Sequence, residues 1–235
     1  MTRVANLAVC LSLGLARLTE ATTTLFTGGT IVAFDRATEG LRVIRNGSLL
    51  IQDDRIAEIS NTSCLSRVPP DTQLVDAKGK IITPGFIDTH RHGWQTVFKT
   101  LGSNVSLVEY WYRYGEFASA GLLNADDVYI SQLTGLYEAL NAGVTTTLDH
   151  AHHTWSDDTT EAGYQASIDS GARVFWSPAF HNVTNYTTGE LMVKFREIAS
   201  KGLYEGTPTS LGISYDFFGP SPDVAEVEAL LDLVR

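Results

Sequence analysis

The sequence predicts an α/β protein in which a small β layer precedes about four βα units. Up to residue 80, short apolar segments are separated by turn residues, as in a sheet of short strands. From Ile81 onward, short apolar strands alternate with helix-length segments, which is typical of parallel βαβ units. A closed (β/α)8 barrel needs eight such units, and this chain has about four. We therefore expect an incomplete TIM-type (β/α)8 barrel.

The β layer is expected over residues 22–80. Asn46-Gly47 is a strong turn signal between two apolar runs, because these residues adopt the backbone of a two-residue hairpin loop. Asp53-Asp54 marks a second turn. We therefore expect short strands at 25–34, 42–44, 49–51 and 56–59.

The βα units are expected over residues 81–235. One helix should begin at Asn124, a typical N-cap, and three helices should end at Gly143, Gly171 and Gly202. A last helix should follow Ser221, with proline at its first position. The predicted helices lie at 124–142, about 160–170, about 188–201 and beyond 221. The predicted strands lie at 81–92, 144–149, 172–176 and 211–215.

The first of these strands ends in the pair His90-x-His92. Side chains alternate along a strand, so both imidazoles point to one side while Arg91 points to the other. Two imidazoles at one strand end can share a divalent metal ion. The alternative is two surface histidines placed by chance. The apolar strand and the Pro84-Gly85 break that precede the pair favour a metal site.

The remaining histidines follow the ends of later strands, at the rim where TIM-type barrels build active sites. His150 is expected to contact substrate or to support a ligand. His152 and His153 fit a solvated loop equally well, and His181 fits either a substrate contact or a plain loop. Trp94 is a candidate for a substrate pocket, with packing against the barrel as the alternative. A site of four imidazoles that adds His150 and His152 to the first pair is less favoured, because adjacent barrel strands point side chains into different layers.

Residues 81–92 read Ile-Ile-Thr-Pro-Gly-Phe-Ile-Asp-Thr-His-Arg-His and resemble the first barrel strand of the amidohydrolase superfamily, P-G-F-I-D-x-H-x-H. Residues 74–80 resemble the lead-in to that strand, and residues 143–149 resemble the second barrel strand. The resemblance is greatest to the branch of cytosine deaminases, chlorohydrolases and S-adenosylhomocysteine deaminases. It implies an N-terminal β-sandwich part at 22–80 and the first half of an amidohydrolase-related barrel at 81–235.

The resemblance also implies a chemistry, which is metal-assisted hydrolysis of a non-peptide C–N bond in a small-molecule substrate. Amides, amidines and ring amines are the expected substrates. His90 and His92 are the implied metal ligands, with zinc expected and iron as the alternative. Nucleoside-deaminating members usually carry an apolar-Pro-His-Ala-Pro-Tyr run after strand four. This chain has Asp-Phe-Phe-Gly-Pro-Ser-Pro at 216–222, which argues against purine nucleoside deamination.

The alternative to an active hydrolase is a half-barrel without catalytic competence. Members of the superfamily take further histidine ligands from barrel strands five and six and a catalytic aspartate from strand eight, and about four βα units do not supply them. The chain would then be a fragment or would need another chain. Open barrel edges would favour self-association.

Composition narrows the possible partners. The formal net charge is −10 at pH 7 and the sequence has no run of basic residues, so neither nucleic acid nor an anionic membrane is an expected partner. No segment is long and apolar enough to be expected to span a membrane.

Two features favour export over a cytoplasmic location. Residues 1–21 have the apolar run and small residues of a signal peptide, although an ordinary N-terminus is the alternative. Cys10 would leave with that peptide and Cys64 would remain unpaired, which excludes an internal disulfide. Candidate N-glycosylation sites in N-x-[ST] frames are more numerous than chance predicts, at Asn46, Asn61, Asn104, Asn182 and Asn185.

Overall fold

A computed structural model of the chain describes residues 23–61 and 68–234. The chain divides into two compact units, Met1–Pro84 and Gly85–Arg235. The predicted signal peptide at 1–21 and both cysteines, Cys10 and Cys64, lie outside the described residues. Within the described ranges, no helix has the length and apolar character needed to cross a membrane.

The first unit contains a five-stranded sheet built around its first strand. The strands are β1 (Thr23–Asp35), β2 (Gly40–Gln52), β3 (Arg55–Ser60), β4 (Gln73–Asp76) and β5 (Ile81–Ile82). β2 is antiparallel to both β1 and β3, whereas β4 and β5 run parallel to β1. Ile31, Ile44 and Leu49 form a buried cluster on this sheet, so the apolar segments of the sequence supply its core.

The turn expected at Asn46-Gly47 is wrong. Both residues lie inside β2, where Asn46 has a φ of 52° and the pairing register with β1 shifts around Gly29. A Cβ at Gly47 would lie 2.9 Å from Ile31 Cδ1, so the position is too crowded for a side chain. The left-handed preference of Asn-Gly serves an irregularity within one long strand as well as it serves a hairpin turn.

The second unit alternates strands and helices around a parallel sheet in the order β6-β7-β8-β9. The strands are β6 (Phe86–Arg91), β7 (Val144–Ala151), β8 (Arg173–Pro178) and β9 (Ser210–Leu211). The helices are α1 (Leu107–Arg113), α2 (Glu116–Ser119), α3 (Ala125–Asn141), α4 (Asp157–Asp169), α5 (Thr188–Lys201) and α6 (Val224–Leu231), with a 3₁₀ helix at Gly93–Phe98. The predicted α/β class is therefore confirmed.

The helices begin and end at capping residues. Asn124 accepts a hydrogen bond from the N–H of Asp127 and begins α3, as the sequence predicts. Thr187 forms the same kind of capping box for α5, and Gly202 ends that helix with a φ of 61°. α4 begins earlier than expected because Ser156 caps it.

Three strand and helix boundaries in the structure differ from those that the sequence predicts. The strand expected at 81–92 is divided into β5 and β6 around Pro84. Asp223, rather than the residue before Pro222, caps α6, and its carboxylate accepts two backbone hydrogen bonds there. β9 ends at Leu211, and an isolated bridge between residues 179 and 214 continues the pairing beyond it.

The main core of the second unit packs strands against α4 and α5. Trp176 and Val174 of β8, Tyr164 of α4, and Leu191 and Ile198 of α5 are at most 1% exposed. This core packs β8 and the end of β7 against the two helices. Because the strands are parallel, their carboxyl ends meet at one edge of the sheet, where the histidines of the sequence collect.

Candidate metal centre

The carboxyl ends of β6 and β7 bring three imidazoles together. His90 is in β6, His92 follows its last residue, and His150 is in β7. One ring nitrogen from each histidine lies within 4.8 Å of those of the other two. We call His90, His92 and His150 the imidazole cluster. His90 and His92 lie on the same side because they are two residues apart at the end of one strand. His150 joins them because β7 pairs in parallel with β6.

The spacing of His90 and His92 fits a shared metal ion. Their Nε2 atoms are 3.2 Å apart. Zinc binds imidazole nitrogen at ~2.0–2.1 Å in tetrahedral geometry, which places two ligand nitrogens ~3.3 Å from each other. The two rings are 4.8 Å apart between centroids and perpendicular to each other, so they converge at their Nε2 corners. The donor set therefore fits zinc or a similar divalent cation.

The tautomer of His92 is fixed by its neighbour. The Nδ1–H of His92 donates to the backbone carbonyl of His150 at 2.8 Å, which leaves the Nε2 lone pair of the neutral ring facing His90. Burial lowers the pKa of His92, and the nearby imidazoles of His150 and His90 lower it further. Neutral imidazole is the form that binds metal, so this ring is prepared for ligation near neutral pH.

His150 also contacts the carboxylate of Asp216. Asp216 Oδ2 lies 2.9 Å from the Nε2 atom of His150, and the contact lowers the pKa of the Asp216 carboxyl. This nitrogen is buried and, apart from the contact with Asp216, has no hydrogen-bond partner within the described part of the chain. His150 therefore remains available as a third metal ligand beside an acidic group.

His152 packs against the ring of His92, and Trp94 in turn holds His152 by a hydrogen bond. The indole N–H of Trp94 donates to His152 Nδ1 at 3.1 Å, and the His152 ring lies against that of His92 with centroids 4.0 Å apart. Trp94 is fully buried and His152 is 5% exposed. Burial holds the pKa of His152 well below its ordinary value, and the surrounding imidazoles add to this effect. Both side chains are therefore buried behind the imidazole cluster and do not face solvent.

His153 lies apart from this site, although it is adjacent to His152 in the sequence. Its ring is fully buried, and its Nδ1–H donates to the carbonyl of Thr159 at 3.0 Å. A Cβ at Gly163 would lie 2.1 Å from the ring, so glycine is required there. Burial lowers the pKa of His153 to about 4. This histidine belongs to the packing of α4.

His181 lies beside two cavities of about 770 and 680 Å³ that open next to Asp216. The hydroxyl of Thr154 donates to a backbone carbonyl at 2.8 Å, so its 3.3 Å contact with His181 Nε2 requires the histidine to be the donor there. The neutral ring then keeps Nδ1 as an acceptor. Burial lowers the pKa of His181 to about 4. The aromatic residues that line these cavities are Trp111, Tyr112, Phe117, Tyr215 and Phe217.

Comparison with known proteins agrees with this geometry. The Amidohydrolase family matches residues 81–196, which include the whole imidazole cluster. Over this part of its length, the chain belongs to the amidohydrolase superfamily. This superfamily is metal-dependent, in agreement with the histidines at the ends of β6 and β7.

Several deaminases are similar to parts of this chain. The 5'-deoxyadenosine deaminase of Methanobrevibacter smithii is 39% identical over 103 residues, which are 44% of this chain and 23% of the relative. The 5-methylthioadenosine/S-adenosylhomocysteine deaminase of Caldicellulosiruptor saccharolyticus is 32% identical over 145 residues, 61% of this chain and 32% of the relative. The chain therefore spans about a quarter to a third of the length of these curated relatives.

Solved structures show the same fold. The guanine deaminase of C. acetobutylicum superposes with a TM-score of 0.70 at 20% identity, over 90% of this chain and 50% of that one. At this level of identity the similarity concerns the fold alone. The chain therefore shares a mixed α/β fold with proteins of the TIM-barrel type.

Sequence reasoning missed two residues behind the site, Asp149 of β7 and Gln132 of α3. Both are fully buried, and the Gln132 amide donates to the Asp149 carboxylate at 2.6 Å. Burial raises the pKa of Asp149 to about 6, although its hydrogen bonds with Gly93 and Gln132 oppose this. The only sequence signal for Asp149 was its position directly before His150. Its partners lie far away in the sequence, so the pattern alone did not identify it.

Proposed function

We propose that this protein is a metal-dependent hydrolase that acts on a non-peptide C–N bond, by hydrolytic deamination of a small molecule. His90 and His92 would hold the metal, with His150 as a third ligand, and zinc is the ion that best fits the donors. The observation that carries this proposal is the 3.2 Å separation of the His90 and His92 Nε2 atoms, together with the His92 tautomer, which leaves its Nε2 free for ligation.

The described side chains suit this chemistry in distinct ways. A divalent metal at the imidazole cluster would activate water and polarise the bond under attack. Asp216 keeps its carboxylate beside His150, where it can accept a proton or a substrate N–H. His181 offers a neutral acceptor to a substrate amino group. The exposed aromatic rings around the cavities, among them Phe117 and Phe217, would pack on a planar substrate body.

The substrate class follows from these groups and from the relatives. Acceptors next to aromatic walls favour a compound that carries N–H donors on a planar body, such as an amidine or a ring amine. The matched relatives are named as deaminases of 5'-deoxyadenosine and of 5-methylthioadenosine or S-adenosylhomocysteine. The segment at 216–222 lacks the histidine that we expect in nucleoside deaminases, so we propose a non-nucleoside ring amine, amidine or amide.

Metal analysis of purified protein tests this proposal. The chain should bind a divalent metal, and His90→Asn or His92→Asn should abolish that binding because each removes a ligand. His181→Asn is the matched control, because it lies outside the imidazole cluster and should keep the metal while lowering ammonia release from substrates. Unchanged metal content in the His92→Asn protein would contradict the proposal.

A second candidate is a half-barrel that acts only with another chain. The described sheet has β6 and β9 at its edges, and Phe86 and Ile87 of β6 are each 67% exposed. Exposed apolar side chains on an edge strand favour association. We propose that the second unit is an incomplete barrel of four βα units that self-associates. Size-exclusion chromatography with light scattering should show dimers or larger species, and a monomer with full hydrolase activity would contradict it.

We also propose that the protein is exported and glycosylated, with a cytoplasmic location as the alternative. The five candidate asparagines are all exposed, as attachment of a glycan requires: Asn46, Asn61, Asn104, Asn182 and Asn185. Expression in secreting eukaryotic cells, followed by treatment with an N-glycosidase, should reduce the apparent mass of the secreted protein. Retention of an unmodified protein inside the cells would contradict export.

A further inference from the structure

The end of β7 holds the turn after His92 at two points. The carbonyl of His150 accepts the hydrogen bond from His92 Nδ1 at 2.8 Å. One residue earlier, the carboxylate of Asp149 accepts a hydrogen bond from the backbone N–H of Gly93 at 3.0 Å. The ring of His92 and the backbone next to it are therefore both fixed to the same strand.

Gln132 of α3 completes this arrangement from the opposite side. Its Nε2 donates to Asp149 Oδ2 at 2.6 Å and to Ser167 Oγ at 3.2 Å. Asp149 and Gln132 are both 0% exposed. A buried carboxylate is costly unless hydrogen bonds satisfy it, and here one oxygen faces Gly93 while the other faces Gln132.

Two glycines allow α3 to approach this turn closely. A Cβ at Gly93 would lie 2.4 Å from Gln132 Oε1. A Cβ at Gly135, one turn further along α3, would lie 2.7 Å from the Gly93 carbonyl oxygen. A side chain at Gly93 would displace the Gln132 amide, and one at Gly135 would clash with the backbone of the turn. The close packing of α3 restricts the backbone at Gly93. The position of Asp149 therefore affects the backbone next to His92, through its hydrogen bond with Gly93.

We propose that Asp149 and Gln132 are positioning residues that hold His92 in its metal-binding orientation through the Gly93 N–H. The proposal rests on the metal site proposed above, and neither residue belongs to the imidazole cluster. Without the carboxylate, the turn would lose its buried anchor and the His92 ring would sample other orientations. Residues that support metal ligands in this way typically change metal affinity by about 10- to 100-fold.

Cobalt titration of the metal-free 235-residue chain, followed by visible absorption, tests this role. Asp149→Ala should weaken Co²⁺ binding by about 10- to 100-fold. Asp149→Asn should restore affinity to within about threefold, because its amide oxygen still accepts from Gly93 and the Gln132 amide can turn to meet its NH₂ group. Thr147→Val is the matched control. Thr147 is buried on the same face of β7, and Co²⁺ affinity should not change.

The outcomes separate this inference from the proposed function. A folded Asp149→Ala protein with unchanged Co²⁺ affinity would overturn the positioning role alone, as would an Asp149→Asn protein that binds as weakly as Asp149→Ala. Absence of Co²⁺ uptake by the unsubstituted chain would overturn both proposals. If Asp149→Ala does not fold, Gln132→Ala decides, since weaker binding supports the role and unchanged binding overturns it.

Discussion

Gly163→Ala is expected to destabilise the protein, although alanine is the better helix former. Gly163 lies inside α4, where helix propensity alone would favour alanine by about 1 kcal/mol. The new Cβ, however, would lie 2.1 Å from His153 Cε1 and 2.2 Å from its Nε2. The ring is fully buried and hydrogen-bonded to Thr159, so it cannot turn away without losing that bond.

The magnitude follows from these opposing contributions. Overpacking of a dense core costs about 1–3 kcal/mol, and the lost His153 hydrogen bond adds about 1 kcal/mol. After the gain in propensity, we expect a net loss of about 2 kcal/mol in the free energy of unfolding. For a chain of this size, that corresponds to a decrease in Tm of about 4–8 °C.

Thermal and urea unfolding measure this change. Gly189→Ala in the exposed first turn of α5 is the matched control, because a Cβ there would meet nothing closer than Thr187 Oγ1 at 3.8 Å. That variant should be at least as stable as the parent. If Gly163→Ala were also stabilising, the packing described for His153 would be refuted. Metal affinity should not change in either variant, because His153 lies outside the imidazole cluster.

Three further predictions concern pH, a helix cap and the support of His152. In the metal-free protein, the folded-state pKa of about 4 for His153 and His181 lies below the ordinary 6.5, so stability should fall as the pH drops from 6.5 towards 4. His152 and His92, whose pKa values are also lowered, act in the same direction, whereas Asp149, with its pKa raised to about 6, opposes the loss in part; urea titrations should therefore show a net loss of stability between pH 7.5 and 5. Thr187→Ala removes the capping box of α5 and should cost about 1 kcal/mol in urea unfolding, whereas Thr187→Ser should cost much less. Trp94→Phe removes the hydrogen bond to His152 Nδ1 and should weaken Co²⁺ binding, while a normal absorption titration would contradict the supporting role of this pair.

Much of the second unit was predictable because its determinants are local. The two-residue period of a strand places His90 and His92 on one side, and capping residues such as Asn124 determine where helices begin. The same local reasoning failed at Asn46-Gly47, because one backbone preference serves both a hairpin turn and a bulge. Local sequence cannot choose between these two uses.

The remainder of the site depends on contacts between distant residues. His152 and His153 are neighbours, yet one packs against His92 and the other against α4. Asp149 bonds Gly93 and Gln132, which are far from it in the chain. Such partners are determined by how α3 packs on the strands, and this packing is not encoded in the spacing of any single motif.

X-ray absorption at the zinc edge tests the central claim most directly, because it identifies the ligand atoms of the bound metal. We expect two or three imidazole nitrogens at ~2.0–2.1 Å in the zinc-loaded chain, and loss of this shell in the His90→Asn/His92→Asn double variant. A shell of oxygen atoms alone, or of sulfur from Cys10 or Cys64, would contradict a metal centre at the ends of β6 and β7.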